Sequence, residues 1–283
     1  MFNFFKKKGK EINLNLLWGN NDTFIAGPFL GEFGWELMQW QGYIRRLSRF
    51  YGKTIVYGRV SSRFLYEDFV TEFREVNEAS WDNDAYELKG FDYEGWANQF
   101  TDVDLLIADN RCKKLPGLIT QEFIPLGKKT EKSFDIIIHA RNIDAQNLTE
   151  NKTMRNWPNQ YWDELCDSLK GYSIGSVGLK NLAYSPNNTV DLRGLNGTEL
   201  CDILASANCC VGPSSGLMHL ASLCRTPHIV WTPKKSIKRF GGNSFRYLKG
   251  WNPFGTQVKL ITEHDWRPPV PVVKKAVTAL IDR

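Results

Sequence analysis

The chain has 283 residues, 42% of them hydrophobic, which is enough for one large or two medium α/β domains and argues against extended disorder. Its net charge of +5 suits an anionic partner such as a nucleotide, an acidic glycolipid or nucleic acid, without choosing among them. No apolar run approaches the ~18 residues of a membrane span. The start, MFNFFKKKGK, lacks the apolar core of a signal peptide. These features predict a cytoplasmic protein without a transmembrane segment.

The six cysteines form no C-x-x-C pair. Cys201, Cys209 and Cys210 lie within apolar segments, as buried side chains do. We therefore expect reduced core residues rather than disulfides or zinc ligands.

The first half of the chain alternates between strand and helix patterns. Apolar runs predict strands at 23–26, 53–60 and 104–108, with a weaker candidate at 122–125. Helical spacing predicts helices at 33–50 and 61–69. The polar stretch 125–133, which contains Pro and Gly, predicts a domain boundary that we place between residues 128 and 129.

The second half, 129–283, shows a more regular alternation. Strands are predicted at 134–139, 172–177, 189–192, 209–212 and 228–231. Helices are predicted at 158–170, 197–207 and 270–281. The last is a closing helix that could pack back onto the first domain. The segment 232–256 is interpreted as a long surface loop rich in basic and aromatic residues. Such alternation indicates a parallel, doubly wound sheet. His139, Arg141, Gly178 and Ser214 fall at the carboxyl ends of predicted strands, where such sheets bind ligands.

The stretch 211–221, VGPSSGLMHLA, combines a buried strand, a tight turn and a helix that opens at Ser214–Ser215. The first turn of a helix carries N–H groups without partners and a partial positive charge, so this end suits a phosphate. His219 lies on the same helix face as Ser215 and Gly216, where its imidazole can add a donor to a diphosphate. The alternative is a structural turn with His219 hydrogen-bonded in the core.

The runs WPNQYWDEL and VDLRGLNGTELCDILASANCCVGPSSGLMHLASLCRTPHIVWTP resemble the donor domain of heptosyltransferase-type glycosyltransferases. The resemblance covers about residues 134–233. It implies the GT-B fold, in which two Rossmann-like doubly wound parallel-sheet domains face each other across a cleft. It also implies inverting transfer of a sugar from a nucleoside diphosphate to a hydroxyl, with no cofactor besides the donor. The chain departs from the family pattern at Ser214, where an aspartate is usual.

The resemblance also implies roles for individual residues. Backbone N–H groups of the turn would hold the donor diphosphate, and His219 would lie beside them. These N–H groups belong to Ser214, Ser215, Gly216, Leu217 and Met218. Arg141 could reach the same phosphates with its guanidinium. Lys152 and Arg155, in the loop before Trp157, are further candidates for phosphate or sugar contacts, the alternative being an exposed loop. The nucleobase is expected near Gly178 and Lys180.

Similar enzymes carry a catalytic carboxylate in the loop after the first strand, and here GEFGWEL occupies that place. Glu32 lies between two glycines before the helix is established, so it is our candidate for the base that deprotonates the acceptor hydroxyl. Glu36, four residues on, could be the base instead or could hold Glu32 in place. Alternatively, both are acids that complement the helix dipole.

A metal site is not expected. Asp102-Val103-Asp104 resembles the metal-binding pair of GT-A enzymes, but it precedes a strand instead of following one, so we interpret it as a solvated turn. Basic groups and helix N-termini would neutralise the diphosphate instead.

Two acceptors stay open: a saccharide on a lipid or polymer, and DNA with a modified base, as in phage enzymes acting in a host cytoplasm. The basic and aromatic residues of 234–251 fit DNA, an acidic glycolipid or a plain loop. A non-catalytic protein that binds nucleotide sugars is the rival hypothesis, and the oligomeric state is undetermined.

Overall fold

The structure is a computed structural model and describes residues 21–76, 91–108, 120–131, 133–143, 154–234 and 242–282. The chain divides into two compact units, Met1–Phe123 and Ile124–Arg283. The division falls a few residues before the boundary predicted from the sequence. None of the helices in the described ranges has the length and hydropathy of a membrane-spanning segment.

The first unit contains one parallel four-stranded sheet in the order β3-β2-β1-β4. Its strands are β1 Thr23–Gly27, β2 Lys53–Gly58, β3 Glu72–Glu75 and β4 Asp104–Ile107. Its helices are α1 Phe33–Gln39, α2 Gln41–Ser48 and α3 Tyr93–Ala97, with a 3₁₀ helix at Val60–Leu65. In this sheet β1 lies between β2 and β4. The loop after β1, which carries Glu32, therefore begins where the strand order reverses, the usual position of a ligand site.

Three predictions for this unit need correction. The helix expected at 33–50 breaks at Trp40, whose backbone (φ −134°, ψ −64°) lets its ring pack against Phe29 with the ring centroids 5.9 Å apart. The helix expected at 61–69 is the 3₁₀ helix. No strand forms at 122–125, because Glu122 donates its N–H to the Gly42 carbonyl and pairs its carboxylate with Arg49.

Gly27, at the end of β1, is a position that only glycine fills without strain. Its φ is +120°, and a Cβ atom there would lie 2.2 Å from the Tyr57 carbonyl oxygen. We expect Gly27→Ala to lower the free energy of unfolding by about 3 kcal/mol or more, since strained backbone and overpacking add. Urea denaturation followed by circular dichroism measures this. Gly171→Ala is the control, since nothing lies within 4 Å of its Cβ position, and a similar loss there would contradict the argument.

The second unit contains a parallel six-stranded sheet in the order β10-β9-β8-β5-β6-β7. Its strands are β5 Ile136–Ile138, β6 Ile174–Ser176, β7 Val190–Asp191, β8 Cys209–Pro213, β9 His228–Trp231 and β10 Val258–Ile261. Its helices are α4 Asn159–Ser168, α5 Gly197–Ser206, α6 Gly216–Leu223, α7 Gly242–Phe245 and α8 Val270–Ile281, with a π-helical turn at Arg246–Gly250. The chain winds outward from β5 through β7 and then returns beside β5 as β8. This confirms the predicted α/β class with a parallel, doubly wound sheet.

Three tryptophans in tilted and edge-to-face contact lie in the core of this unit. Trp157, Trp162 and Trp231 are fully buried, with ring centroids about 5 Å apart. The closing helix α8 packs on this cluster through Val273 and Val277, so its apolar face is buried within the second unit. The cysteines expected in the core are free and buried there, at positions 166, 201, 209, 210 and 224. Cys112 lies outside the described residues.

The segment predicted as a surface loop at 232–256 is structured over its described part. Tyr247 and Trp251 are buried, and they fall four residues apart on the π-helical turn and its end. The edge strand β10, absent from the prediction, follows this segment. Only its last residue, Ile261, is fully buried, so its sequence carries little of the alternation by which a strand is recognised.

Candidate functional site

The carboxyl ends of β5 and β8 meet at the point where the sheet reverses its strand order. His139 follows β5, and Ser215 follows β8. The two side chains are joined by a hydrogen bond of 3.0 Å between His139 Nδ1 and Ser215 Oγ. This contact crosses the crevice in which doubly wound sheets bind their ligands.

The N-terminus of α6 opens at this crevice. Ser215 is its N-cap, but its side chain forms no capping hydrogen bond. The N–H groups of Gly216, Leu217 and Met218 have no acceptor among the described residues. By contrast, Ser214 donates its N–H to the Trp231 carbonyl at 3.0 Å, and Ser215 donates to the Tyr247 hydroxyl at 3.2 Å. Of the five amides predicted to hold a diphosphate, those of Ser214 and Ser215 are therefore already engaged within the protein, whereas those of Gly216, Leu217 and Met218 are not engaged by any described residue.

Tyr247 holds the turn before α6 and was not predicted to be part of this region. Its hydroxyl lies 3.2 Å from Ser214 Oγ and 3.4 Å from the Ser215 carbonyl oxygen. Burial raises the pKa of Tyr247 to about 12, so the group remains a neutral phenol. The signal available in the sequence was the four-residue spacing to Trp251, which favours a helical turn with one buried face.

His219 lies under this tyrosine. Its ring stacks on Tyr247 with centroids 4.2 Å apart and meets the edge of Trp251 at 4.7 Å. Only 4% of the residue is exposed, and burial, followed by the charge of Arg246, holds its pKa well below 6.5. Its Nδ1 atom has no hydrogen-bond partner among the described residues. His219 is therefore a packed, neutral imidazole, as in the core alternative, but without the hydrogen bond that alternative assumed.

The predicted arginines occupy different positions. Arg141 is buried and donates from Nη1 to Asn156 Oδ1 at 2.6 Å, so it ties two loops together instead of lying open to phosphate. Arg155 lies over the Trp266 ring at 5.5 Å. Arg246, from the π-helical turn, lies over the Trp251 ring at 4.5 Å. The charges of Arg155 and Arg246 both lower the pKa of His219, which places positive charge near α6.

Of the remaining predicted positions, Gly178 lies beside His139. Gly178, after β6, has φ +130°, and a Cβ there would lie 2.7 Å from the Ala183 Cβ and 3.3 Å from His139 Cδ2. The Lys180 side chain runs beside Gly194. Lys152 lies outside the described residues. A cavity of about 560 Å³ opens beside the Arg141–Asn156 pair, lined by Asn142, Met154, Asn156, Trp157, Pro158, Asn159, Gln160 and Arg267.

Two histidines of the second unit, the half-buried His139 and the fully buried His228, make its stability depend on pH. Burial, together with Arg141, lowers the pKa of His139 to about 4, and burial lowers that of His228 to about 4. The unfolded chain protonates histidine near pH 6.5, whereas the folded unit keeps these rings neutral. The free energy of unfolding is therefore highest above pH 6.5 and declines as the pH falls toward 4. At pH 5 the loss is about 1–2 kcal/mol per histidine. Urea denaturation at pH 7 and pH 5 measures this decline. His264→Asn, at an exposed position, should leave it unchanged, and equal stability at both pH values would contradict the prediction.

In the first unit, the two candidate carboxylates have different surroundings. Glu32 is half-buried at the N-cap of α1, and its side chain neither caps the helix nor pairs with a described residue. Glu36 is fully buried. Its Oε2 accepts from Arg59 Nη2 at 2.9 Å and from Ser62 Oγ at 2.7 Å, and its Oε1 accepts from the Tyr66 hydroxyl at 2.9 Å. Glu36 has no exposed surface and three donors engage its carboxylate, which fits the supporting role considered for it; which of the two glutamates is the base stays a prediction.

The aspartates at 102 and 104 do not converge. Asp102 is exposed in a turn with φ +54°, as expected. Asp104 is buried and accepts hydrogen bonds from Tyr51 and Asn21, so the expectation of a solvated Asp104 is wrong. Among the described residues, no group of three or more His, Cys, Asp or Glu side chains is placed to hold a metal ion.

The fold is similar to solved glycosyltransferases. No protein-family model and no curated protein sequence matches the chain. A glycosyl transferase family 9 structure from Veillonella parvula aligns with TM-score 0.59 at 11% identity, over 94% of this chain and 98% of that one. The E. coli ADP-heptose LPS heptosyltransferase II aligns with TM-score 0.57 at 14% identity, over 92% and 98%. The E. coli heptosyltransferase WaaC, solved with ADP, aligns with TM-score 0.58 at 12% identity, over 91% and 99%. The chain therefore has the fold of heptosyltransferase-type glycosyltransferases.

Proposed function

We propose that this chain is a glycosyltransferase that moves a sugar from a nucleoside diphosphate to an acceptor hydroxyl, with inversion and without a metal ion. The observation that carries the proposal is the N-terminus of α6, where three amides with no acceptor in the described part of the chain open at the reversal of strand order. Such a helix end binds phosphate through its N–H groups and its dipole. Stabilising the charge that grows on a leaving diphosphate is the main catalytic demand of this reaction.

Positive side chains support the same assignment. Arg155 and Arg246 lie close enough to influence the pKa of His219, the first residue after the three amides. Their charges can neutralise the diphosphate, which is the task that a divalent cation would otherwise perform. Addition of EDTA is expected to leave activity unchanged. Loss of activity that manganese restores would contradict metal independence.

The base in this proposal is Glu32, in the first unit, and the donor is held by the second unit. Glu32 carries a carboxylate without a described partner on a loop that begins at the reversal of strand order. A carboxylate beside the acceptor hydroxyl removes its proton as the new C–O bond forms. Glu36 takes the second role considered for it, that of supporting the loop of Glu32.

A saccharide is the proposed acceptor, and the protein is proposed to act in the cytoplasm. The DNA alternative drew on aromatic side chains of 234–251 that could stack on bases. Of the described ones, Tyr247 and Trp251 are buried and packed on His219, so they are not available for such stacking, and Phe245 is the exposed ring. Titration of duplex DNA at 50 mM and 200 mM salt tests the alternative. Tight binding that weakens steeply with salt would favour DNA over a saccharide.

A thermal-shift screen of nucleoside diphosphates and their sugars tests the donor assignment. ADP is the first nucleotide to include, because a structural relative was solved with it. A ligand at 100 times its Kd stabilises the folded state by about 2.7 kcal/mol, which raises the melting temperature by several degrees. No shift with ADP, UDP, GDP, CDP or their sugars would contradict the proposal. A thermal shift of the unaltered chain without turnover in any acceptor panel would indicate the non-catalytic rival.

A further inference from the structure

A buried polar cluster lies directly behind the loop that carries Glu32. It consists of Glu36, Arg59, Ser62 and Tyr66, each at most 2% exposed. The carboxylate of Glu36 accepts from all three of the other side chains. Four buried polar side chains joined in this way form a rigid unit, because each would lose a hydrogen bond if another moved.

A hydrogen bond connects this cluster to the loop. Arg59 Nη2, the atom that donates to Glu36, also donates to the Gly31 carbonyl oxygen at 2.6 Å. This hydrogen bond fixes the orientation of the peptide group between Gly31 and Glu32. The peptide plane after it is fixed by α1, because the Glu32 carbonyl accepts from the N–H groups of Trp35 and Glu36 at 3.0 and 3.2 Å.

We propose that Arg59 is a positioning residue that sets the direction of the Glu32 side chain. With both flanking peptide planes held, the Cα–Cβ bond of Glu32 has one direction, although its carboxylate has no described partner of its own. This inference rests on the proposed function, in which Glu32 is the base. A base must lie within hydrogen-bond reach of the proton it removes, so the position of the loop is a catalytic requirement.

Stability alone is a weak reason for such a cluster. A buried ion pair contributes little net stability compared with apolar residues of similar volume, but its directional bonds can specify one conformation. The loop after β1 is also held at Pro28, whose carbonyl accepts from the Tyr93 hydroxyl at 3.3 Å, and by the buried side chains of Phe29 and Leu30. These contacts lie two or more residues before Glu32. Arg59 supplies a directional contact at the peptide group next to Glu32.

The test uses the double variant Glu36→Leu with Arg59→Met in the full chain. It removes both charges together, so no unpaired charge is left in the core. Tyr66→Phe is the matched control, because it removes one hydrogen bond from the same carboxylate and keeps the bond between Arg59 and Gly31. We expect the NMR order parameter of the Glu32 N–H to fall from about 0.85 to below 0.6 in the double variant and to remain high in the control.

The kinetics of sugar transfer provide a second measurement, which would not change if Arg59 only stabilised the fold. With ADP-heptose as the donor probe, we expect kcat of the double variant to fall 10- to 100-fold while KM for the donor stays within twofold. Arg59→Lys, which keeps a cation opposite Glu36, should recover part of the loss. An order parameter that stays above 0.8 in a folded double variant would overturn the inference.

The two proposals fail in different ways. If the unaltered chain does not turn over ADP-heptose, that donor is wrong, and the order parameter still decides the role of Arg59. If Glu32→Gln leaves turnover intact, Glu32 is not the base and the proposed positioning has no catalytic purpose. If the Glu32 variant is inactive while the double variant has a mobile loop and full kcat, only the inference about Arg59 is overturned.

Discussion

Replacement of Glu32 by glutamine is expected to lower the rate of sugar transfer by about 100- to 10 000-fold, the usual contribution of a general base. Glutamine keeps the size of the side chain and loses the ability to accept a proton. Because Glu32 lies in the first unit and makes no described side-chain contact, nucleotide binding and melting temperature should not change. Initial rates, isothermal titration calorimetry and thermal unfolding measure the three quantities.

Glu67→Gln is the control for this prediction. Glu67 is an exposed glutamate of the same unit, and the same chemical change there should leave the rate within twofold. Equal rates for the Glu32 variant and the unaltered protein would remove Glu32 from the mechanism. A parallel loss of nucleotide affinity would point to misfolding instead of lost base catalysis.

An aspartate at position 216 is expected to weaken nucleotide binding by about 100-fold. Gly216 is the first residue of α6, so a carboxylate there would lie beside the three amides and repel the diphosphate. Two like charges about 4 Å apart cost about 1 kcal/mol in water and about 4 kcal/mol near a protein surface, and each 1.4 kcal/mol is tenfold in affinity. The same carboxylate complements the helix dipole, which contributes about 0.3–1 kcal/mol. Stability should therefore be unchanged or higher while affinity falls.

Lower affinity with unchanged or higher stability distinguishes a blocked binding site from a damaged fold. Calorimetric titration with the nucleoside diphosphate that gives the largest thermal shift measures the affinity. Gly197→Asp places the same residue at the first position of α5 and should leave affinity unchanged. If Gly216→Asp binds the nucleotide as tightly as the unaltered chain, the diphosphate does not lie at the N-terminus of α6.

The serine turn and the cluster around Glu36 show which structural features of the candidate site the sequence predicted and which it did not. Glycine, serine and apolar spacing are local signals, so the helix start at Ser215 was predictable. The bond between Ser215 and His139 joins residues 76 positions apart, and Tyr247 reaches Ser214 from 33 positions away. Such contacts depend on how the strands are ordered, which a single sequence does not display.

The roles of Glu32 and Glu36 likewise depend on contacts that the sequence does not display. Their four-residue spacing predicts a shared helix face and leaves either one as the base. Only the folded unit distinguishes them, because Arg59 and Tyr66 surround Glu36 and leave Glu32 without a partner among the described residues. Burial and partner identity, and not residue type, separate a supporting carboxylate from a reactive one.

The sequence by itself determined the parallel α/β class, most strand positions and the turn with a helix start at Ser214–Ser215, because periodicity and turn chemistry are properties of neighbouring residues. The tertiary structure alone decided which amides remain free, that His219 is packed and neutral, that 242–251 folds over α6, and that Arg59 holds the loop of Glu32. These are long-range outcomes, since they follow from which distant side chains come to share a buried volume.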